Sequence, residues 1–236
     1  AQMETTYSGW DLQTGKLQIM KAMKLYRINI KNLEDPLENP GLLEMVGVER
    51  RKKVLRYYRT DDRKRSLGAG IIIRTILNEN GLSENNIKYT ENEKPVADNC
   101  YFNISHAGDY VVGVSSDCEV GCDIEKIVDA PLEIADCFFN SPEAEYIAAS
   151  QDKNRAFFKL WTLKESYMKM TGRGMSIPLD SFEVVPAGNG FMLGKSLENP
   201  CIFQTMEFEG YMFSIAVSSS GEMDFDLAQS ELQDLM

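Results

Sequence analysis

The chain has one histidine, His106, in 236 residues, and five cysteines with no C-x-x-C pair among them. So sparse a set of nitrogen and sulfur donors argues against a zinc centre, and the odd cysteine count argues against a disulfide framework. Cys100, Cys118, Cys122, Cys137 and Cys201 therefore read as reduced thiols, and the expected compartment is the cytoplasm. No apolar run approaches the ~18 residues a membrane span needs, and the first residues lack the basic-then-apolar order of a signal peptide. Positive charge is also scarce: the formal net charge is −11, which disfavours a general nucleic-acid binder.

One segment inverts that sign. In "RRKKVLRYYRTDDRKR", Arg50 to Arg65, nine basic residues face only Asp61 and Asp62, a local charge of +7 that leaves −18 for the rest. Such an island can concentrate field on a small anion, or it can be a solvated helix face. Residues 1–22 are polar and patternless and read as a leader or disordered segment. Residues 23–122 and 123–236 then form two units.

Helical and strand patterns alternate. "KLYRINI" reads as a strand, "NPGLLEMVGVERRKKVLRYY" as one amphipathic helix, and "DRKRSLGAGIIIRTILNENG" as a second helix stopped by Gly81. "IKYTENEKPV" is a strand entering a turn, and "YFNISHAGDYVVGVSSD" two strands around Gly108. "SPEAEYIAAS" reads as a helix with Ser141 as N-cap, followed by a long helix ending at Gly172. "SFEVV", "CIFQTMEF" and "YMFSIAVSSS" are strands, and the last dozen acidic residues read as peripheral. Tyr110–Asp123 overlays Phe213–Asp226 without a gap, matching Val, Ser, Ser, Glu and Asp. A long helix precedes the strand pair in each half. The expected fold is therefore α+β: two similar lobes, a pseudo-dimer, each a small antiparallel sheet packed with a long helix, with the site in the cleft between them.

Chemistry concentrates in "EVGCDIEKI". Asp123 and Glu125 are two apart in a strand pattern and so share a face, where they repel unless water or a cation separates them. On the long helix Trp161, Glu165 and Lys169 fall at i, i+4 and i+8, one stripe. Glu165 and Lys169 alone could be an ordinary surface pair. Three carboxylates with a lysine form an all-oxygen donor set that suits Mg2+ with phosphate rather than zinc, and the basic island could hold further phosphates.

"GCDIEK" with "FFKLWTLKESYMKMTGRGMSIPLDSF" resembles the paired signature of the 4'-phosphopantetheinyl transferase superfamily, in its two-lobed, Sfp-like branch. "NEKP" and "FNISHAG" resemble two further blocks in the same order. The resemblance implies Mg2+ on Asp123, Glu125 and Glu165, and a catalytic Lys169 on the pyrophosphate of coenzyme A with Lys164 nearby. It implies coenzyme A contacts from Arg50, Lys53, Arg65, Ser66, Lys94, Pro95, Ser105 and His106. Glu143 corresponds to a residue discussed as general base, a metal-bound water being the other candidate; in a first helical turn it could equally serve the helix dipole. The implied activity is transfer of 4'-phosphopantetheine from coenzyme A to a serine of an apo acyl or peptidyl carrier protein, releasing adenosine 3',5'-bisphosphate. The rivals are a non-catalytic module that binds coenzyme A or the carrier, and a Mg2+-dependent phosphohydrolase. No nucleic acid or membrane is expected as partner. A monomer is expected, since both lobes lie in one chain. Met175, Ile177 and Leu179 are expected to offer the carrier an apolar docking loop.

Overall fold

In the computed structural model the described residues are 8–10, 17–19, 23–188, 190–194, 200–218 and 232–235. Of the expected leader this includes a two-stranded hairpin, β1 (Ser8–Trp10) with β2 (Leu17–Ile19). The first lobe begins with β3 (Lys24–Asn29). The single helix expected next is broken: a 3-10 turn, Pro40–Met45, precedes α1 (Val48–Arg56). Val46 between them is extended. Gly47 caps α1 where a Cβ would lie 2.0 Å from a Glu84 carboxylate oxygen. Helix α2 (Thr60–Glu79) follows, and Gly81 beyond it has φ +68°, the left-handed conformation expected of a stop. A short hairpin, β4 (Lys88–Tyr89) and β5 (Pro95–Val96), leads to β6 (Tyr101–Ala107) and β7 (Tyr110–Ser116), joined through Gly108.

The second lobe repeats the order. β8 (Val120–Lys126) is followed by α3 (Ala135–Phe138), α4 (Ser141–Ala149) and α5 (Lys153–Thr171). Then come the hairpin β9 (Val184–Ala187) with β10 (Gly190–Leu193), β11 (Cys201–Phe208) and β12 (Tyr211–Ser218). The N-cap of α4 is Asn140, not Ser141: its side chain and that of Glu143 exchange hydrogen bonds with each other's backbone amides. The division expected after residue 122 falls inside β8, all of which pairs with β12, so we propose the 117–119 turn as the junction.

The sheets correspond strand for strand: β3-β7-β6 in one, β8-β12-β11 in the other, all antiparallel. Tyr110 opens β7 opposite Asn29 and Ala107, and Tyr211 opens β12 opposite Lys126 and Phe208. The equivalence is thus Tyr110 with Tyr211. The sequence overlay, which set Tyr110 on Phe213, found the correct strand but slid it by one pleat, a shift that preserves the faces. The two tyrosines meet edge to face at 5.0 Å, and each reaches the other lobe's turn. The Tyr110 hydroxyl donates to Glu209, while Tyr211 Oη accepts from the Asp109 amide at 3.0 Å.

Each lobe has its own core under its long helix, and a third cluster fills the seam with Leu25, Val112, Val114, Val120, Ile124, Phe213 and Ile215. Where they are described, the C-terminal residues expected to be peripheral form an edge strand of the first sheet. β13 (Leu232–Asp234) joins the first sheet parallel to β3, and Asp234 makes a bidentate pair with Arg27 at 2.6 and 2.8 Å. The portion of the internal overlay beyond residue 218 lies outside the described residues.

Candidate active site

Gly121 brings the acidic elements together. A Cβ there would lie 2.1 Å from Ser166 O and 2.2 Å from Met170 N, so α5 rests its backbone directly on β8. That contact faces the α5 stripe toward the strand face bearing Asp123 and Glu125. Asp123, Glu125, Trp161, Glu165 and Lys169 line one pocket of about 320 Å³, with Ser105 and His106 from β6. The i, i+2 and i, i+4 spacings read in the sequence converge here.

Asp123 is the buried member, 4% exposed. Its Oδ1 accepts from Lys169 Nζ at 2.5 Å and from Ser105 Oγ at 2.9 Å, and Lys169 also donates to Ser105 at 3.1 Å. Its Oδ2 is buried without a hydrogen-bond partner. Such an oxygen is costly unless something fills it. Burial, then Asp123 and Glu165, push the Glu125 carboxyl up to about 7. Burial and Asp123 raise Glu165 as well. One lysine does not neutralise three acids, and the spare oxygen and raised carboxyls are what a hard cation would relieve. Among the described residues no three His, Cys, Asp or Glu side chains close into a preformed metal cluster.

A second, basic pocket of about 70 Å³ adjoins the first, and His106 lines both. Arg50 and Lys53 from α1 and Arg65 and Ser66 from α2 line it, with Tyr57 and Asp62. Arg50 passes over Gly70, where a Cβ would sit 2.6 Å from its Cγ, and burial lowers the affinity of its guanidinium for its proton. Arg65 is held by Gly108 O at 2.7 Å and Asp62 at 2.6 Å. Ser66 Oγ is buried with no partner. His106 remains exposed, and partial crowding by protein, then the charges of Arg65, Lys169 and Lys53, hold its imidazole below its ordinary pKa. Arg63, from the same basic run, has a different role: it is buried against Asp35 and donates to Tyr57 O and Tyr58 O, fixing the α1–α2 turn.

Several expected site residues lie elsewhere. Glu143 and Lys164 are sealed in the second lobe's core, both with fully buried side chains. Glu143 Oε1 accepts from Lys164 Nζ at 2.5 Å and from the Val184 amide at 2.7 Å; Oε2 accepts from the Asn140 amide at 2.9 Å. With both oxygens engaged away from the pocket, Glu143 is not placed to take a substrate proton. Lys94 Nζ caps α5 at Met170 O, 2.8 Å, and pairs with Glu119, and neither it nor Pro95 lines either pocket. Ile177 and Leu179, expected to be exposed, are buried in the core, and the Met175 side chain lies outside the described residues. Tyr57 and Asn103 were not singled out from sequence. Tyr57 lies inside the basic run, just past the end of α1, and Asn103 Oδ1 accepts from the Cys122 amide at 2.9 Å, fastening β6 beside β8. Asn103 lies inside the "FNISHAG" block and Tyr57 inside the basic run, but neither residue type points to a phosphate or a metal by itself.

Residues 119–210 match the family model of the 4'-phosphopantetheinyl transferase superfamily, and residues 38–118 match that of the 4'-phosphopantetheinyl transferase N-terminal region. The chain is 32% identical over 207 residues to 4'-phosphopantetheinyl transferase ffp of Bacillus subtilis, covering 83% of this chain and 92% of that one. It is 31% identical over 210 residues to 4'-phosphopantetheinyl transferase Sfp of Bacillus subtilis strain 168, with the same coverage of 83% and 92%. To 4'-phosphopantetheinyl transferase gsp of Aneurinibacillus migulanus it is 34% identical over 200 residues, 80% of this chain and 84% of that one. A crystal structure of Thermotoga maritima holo-[acyl-carrier-protein] synthase aligns with a TM-score of 0.39 and 14% identity over 43% of this chain and 62% of that one, a likeness too slight to build on.

Proposed function

The chain belongs to the 4'-phosphopantetheinyl transferase superfamily, in its two-lobed, Sfp-like branch, and we infer that it moves 4'-phosphopantetheine from coenzyme A to a serine of an apo carrier protein. One observation carries the detailed reading: two pockets of opposite charge meet at His106. Coenzyme A presents phosphate at two places, a 3'-phosphate on its ribose and a pyrophosphate. In this reading Arg50, Lys53, Arg65 and Ser66, with His106, hold the 3'-phosphate. Lys169 and Ser105 meet the pyrophosphate at the other end.

Three carboxylates beside a single lysine cannot receive a pyrophosphate unaided, because acidic groups outnumber basic ones there. Asp123, Glu125 and Glu165 would hold Mg2+, whose bound charge would offset that of the phosphates. The buried, unpartnered Oδ2 of Asp123 supports that fit. The serine oxygen forms its bond to the β-phosphorus as the bond from that phosphorus to the bridging oxygen breaks, releasing adenosine 3',5'-bisphosphate, and the serine proton passes to water in the cleft. Lys169 stabilises charge gathering on the phosphate oxygens, and Trp161 walls the pocket on the α5 side. Positioning is the main contribution expected of the protein. The cleft is built from two lobes of one chain, which supports a monomer. Reduced thiols support a cytoplasmic setting. Among the described residues no helix is long and apolar enough to cross a membrane.

The test is a mass shift. Apo carrier protein incubated with coenzyme A and Mg2+ should gain the phosphopantetheine mass, and a panel of fatty-acid, polyketide and nonribosomal-peptide carriers would identify the acceptor. Binding without a mass shift would indicate a non-catalytic module. Hydrolysis of coenzyme A without a protein acceptor would indicate a phosphohydrolase.

A further inference from the structure

We propose that the buried Glu143–Lys164 pair is a positioning device that sets the roll of α5, and through it the place of Glu165, rather than part of the proton-transfer chemistry. The proposal rests on the transferase reading above. Lys164 immediately precedes Glu165, ~100° round the helix. Its ammonium is clamped by Glu143 Oε1 at 2.5 Å and Phe182 O at 2.7 Å, and it lies 4.5 Å from the centre of the Phe182 ring. Glu143 in turn binds the amides of Asn140, on the approach to α4, and Val184, at the start of β9. A single carboxylate thus ties together α4, α5 and the 182–184 segment.

The clamp acts on the flank of α5 that the cleft does not use. Gly121 fixes how near α5 comes to β8 through Ser166 and Met170, and Thr162 Oγ1, 2.7 Å from Ser214 Oγ, ties the same flank to β12. The Glu143–Lys164 clamp holds a different flank, against α4 and the 182–184 segment, so the roll of α5 is set between the two. A roll of about 20° would carry a Cα on a cylinder of ~2.3 Å radius through roughly 0.8 Å. A misplacement of about 1 Å can cost roughly 10²-fold in rate. Removing one member of a fully buried pair leaves the other charged and unpaired, whereas removing both charges together is often tolerated. A structural pair and a general base therefore predict different patterns in a double-mutant comparison.

The experiment compares Glu143→Gln with the double variant Glu143→Gln/Lys164→Met. It reads melting temperature, Mg2+ affinity by calorimetry with coenzyme A present, and the pH profile of kcat/KM. We expect Glu143→Gln to melt lower, to bind Mg2+ about 10-fold more weakly, to lose about 10²-fold in kcat, and to keep the wild-type pH profile. The double variant should regain at least about 10-fold of the lost kcat. A base would give the opposite pattern: kcat down about 10²- to 10⁴-fold in both variants, an altered acid limb, and unchanged Mg2+ affinity. That result overturns the proposal. If Glu143→Gln does not fold, the double variant decides alone: activity near wild type supports the proposal, and a folded, Mg2+-binding but inactive protein refutes it. A wild-type protein that binds Mg2+ and coenzyme A yet transfers nothing would defeat the transferase reading, while melting and Mg2+ affinity still judge the pair.

Discussion

The two lobes share a plan and differ in what they bring to the cleft. α2 and α1 of the first lobe contribute Arg50, Lys53 and Arg65, whereas β8 and α5 of the second contribute Asp123, Glu125 and Glu165. The packing differs as well. In the first lobe the glycine under the long helix, Gly113, faces side-chain tips: a Cβ there would meet Ile72 Cγ2 at 2.4 Å and Ile104 Cδ1 at 2.8 Å. In the second, Gly121 faces helix backbone. The acidic half is thus held by contacts that cannot yield, and the basic half by contacts that can. Carboxylates arranged around a small cation need exact placement, whereas long basic side chains around a phosphate tolerate some latitude.

The largest expected effect comes from the acidic half. Asp123→Ala or Glu165→Ala should lower transfer by more than about 10³-fold with the fold intact, measured by mass shift and circular dichroism. A wild-type rate in either variant at limiting Mg2+ would remove those acids from the metal site. Gly121→Ala should destabilise by about 3 kcal/mol or more and lose activity with it, because the new methyl meets helix backbone. Gly113→Ala, meeting rotatable side chains, should cost about half as much; equal losses in denaturant titrations would erase the contrast between the lobes.

In the basic half, Arg65→Ala should raise the KM for coenzyme A by about 10- to 100-fold and that for dephospho-coenzyme A far less, if the guanidinium holds the 3'-phosphate. His106→Ala should show the same preference more weakly. Equal losses with both ligands would relocate the phosphate. The smallest effect on activity is expected from Asp35→Asn. The Arg63 guanidinium beside Asp35 holds its carboxyl below the usual carboxylate range. A carboxyl whose folded pKa is depressed stabilises above its unfolded value, and that contribution is lost as pH falls through the folded value. The variant should therefore melt below wild type at neutral pH, and the gap should close as pH drops below about 4.

Most of the acidic half was legible in the sequence because local periodicity reports it. Asp123 and Glu125 obey the strand period, Trp161, Glu165 and Lys169 obey the helix period, and the two sets meet in one pocket. The basic pocket was legible only as charge. Nothing in the run from Arg50 to Arg65 distinguishes Arg65, which lines the pocket, from Arg63, which pairs with Asp35, 28 residues away. Glu143 is a related case: its first-turn place in the helix is visible in the sequence, but its partners, Lys164 and the Val184 amide, are brought to it by tertiary packing. The break before α1 was missed because Gly47 answers to Glu84, a residue outside the helix. The inward turn of Ile177 and Leu179 could not be distinguished from exposure by composition alone.

The reciprocal Tyr110–Tyr211 contact marks an approximate two-fold axis, and such an axis implies a second position related to the cleft. Counting back three residues along equivalent strands places Tyr26 where the second lobe has Asp123, and counting back one places Ile28 where it has Glu125. Both are fully buried in the first lobe's core. Identical subunits would have to repeat every acid at both positions, but a fused pair is free of that constraint. The stoichiometry expected from the proposed function is one equivalent of coenzyme A per polypeptide, with simple hyperbolic saturation and no homotropic coupling between halves that look alike.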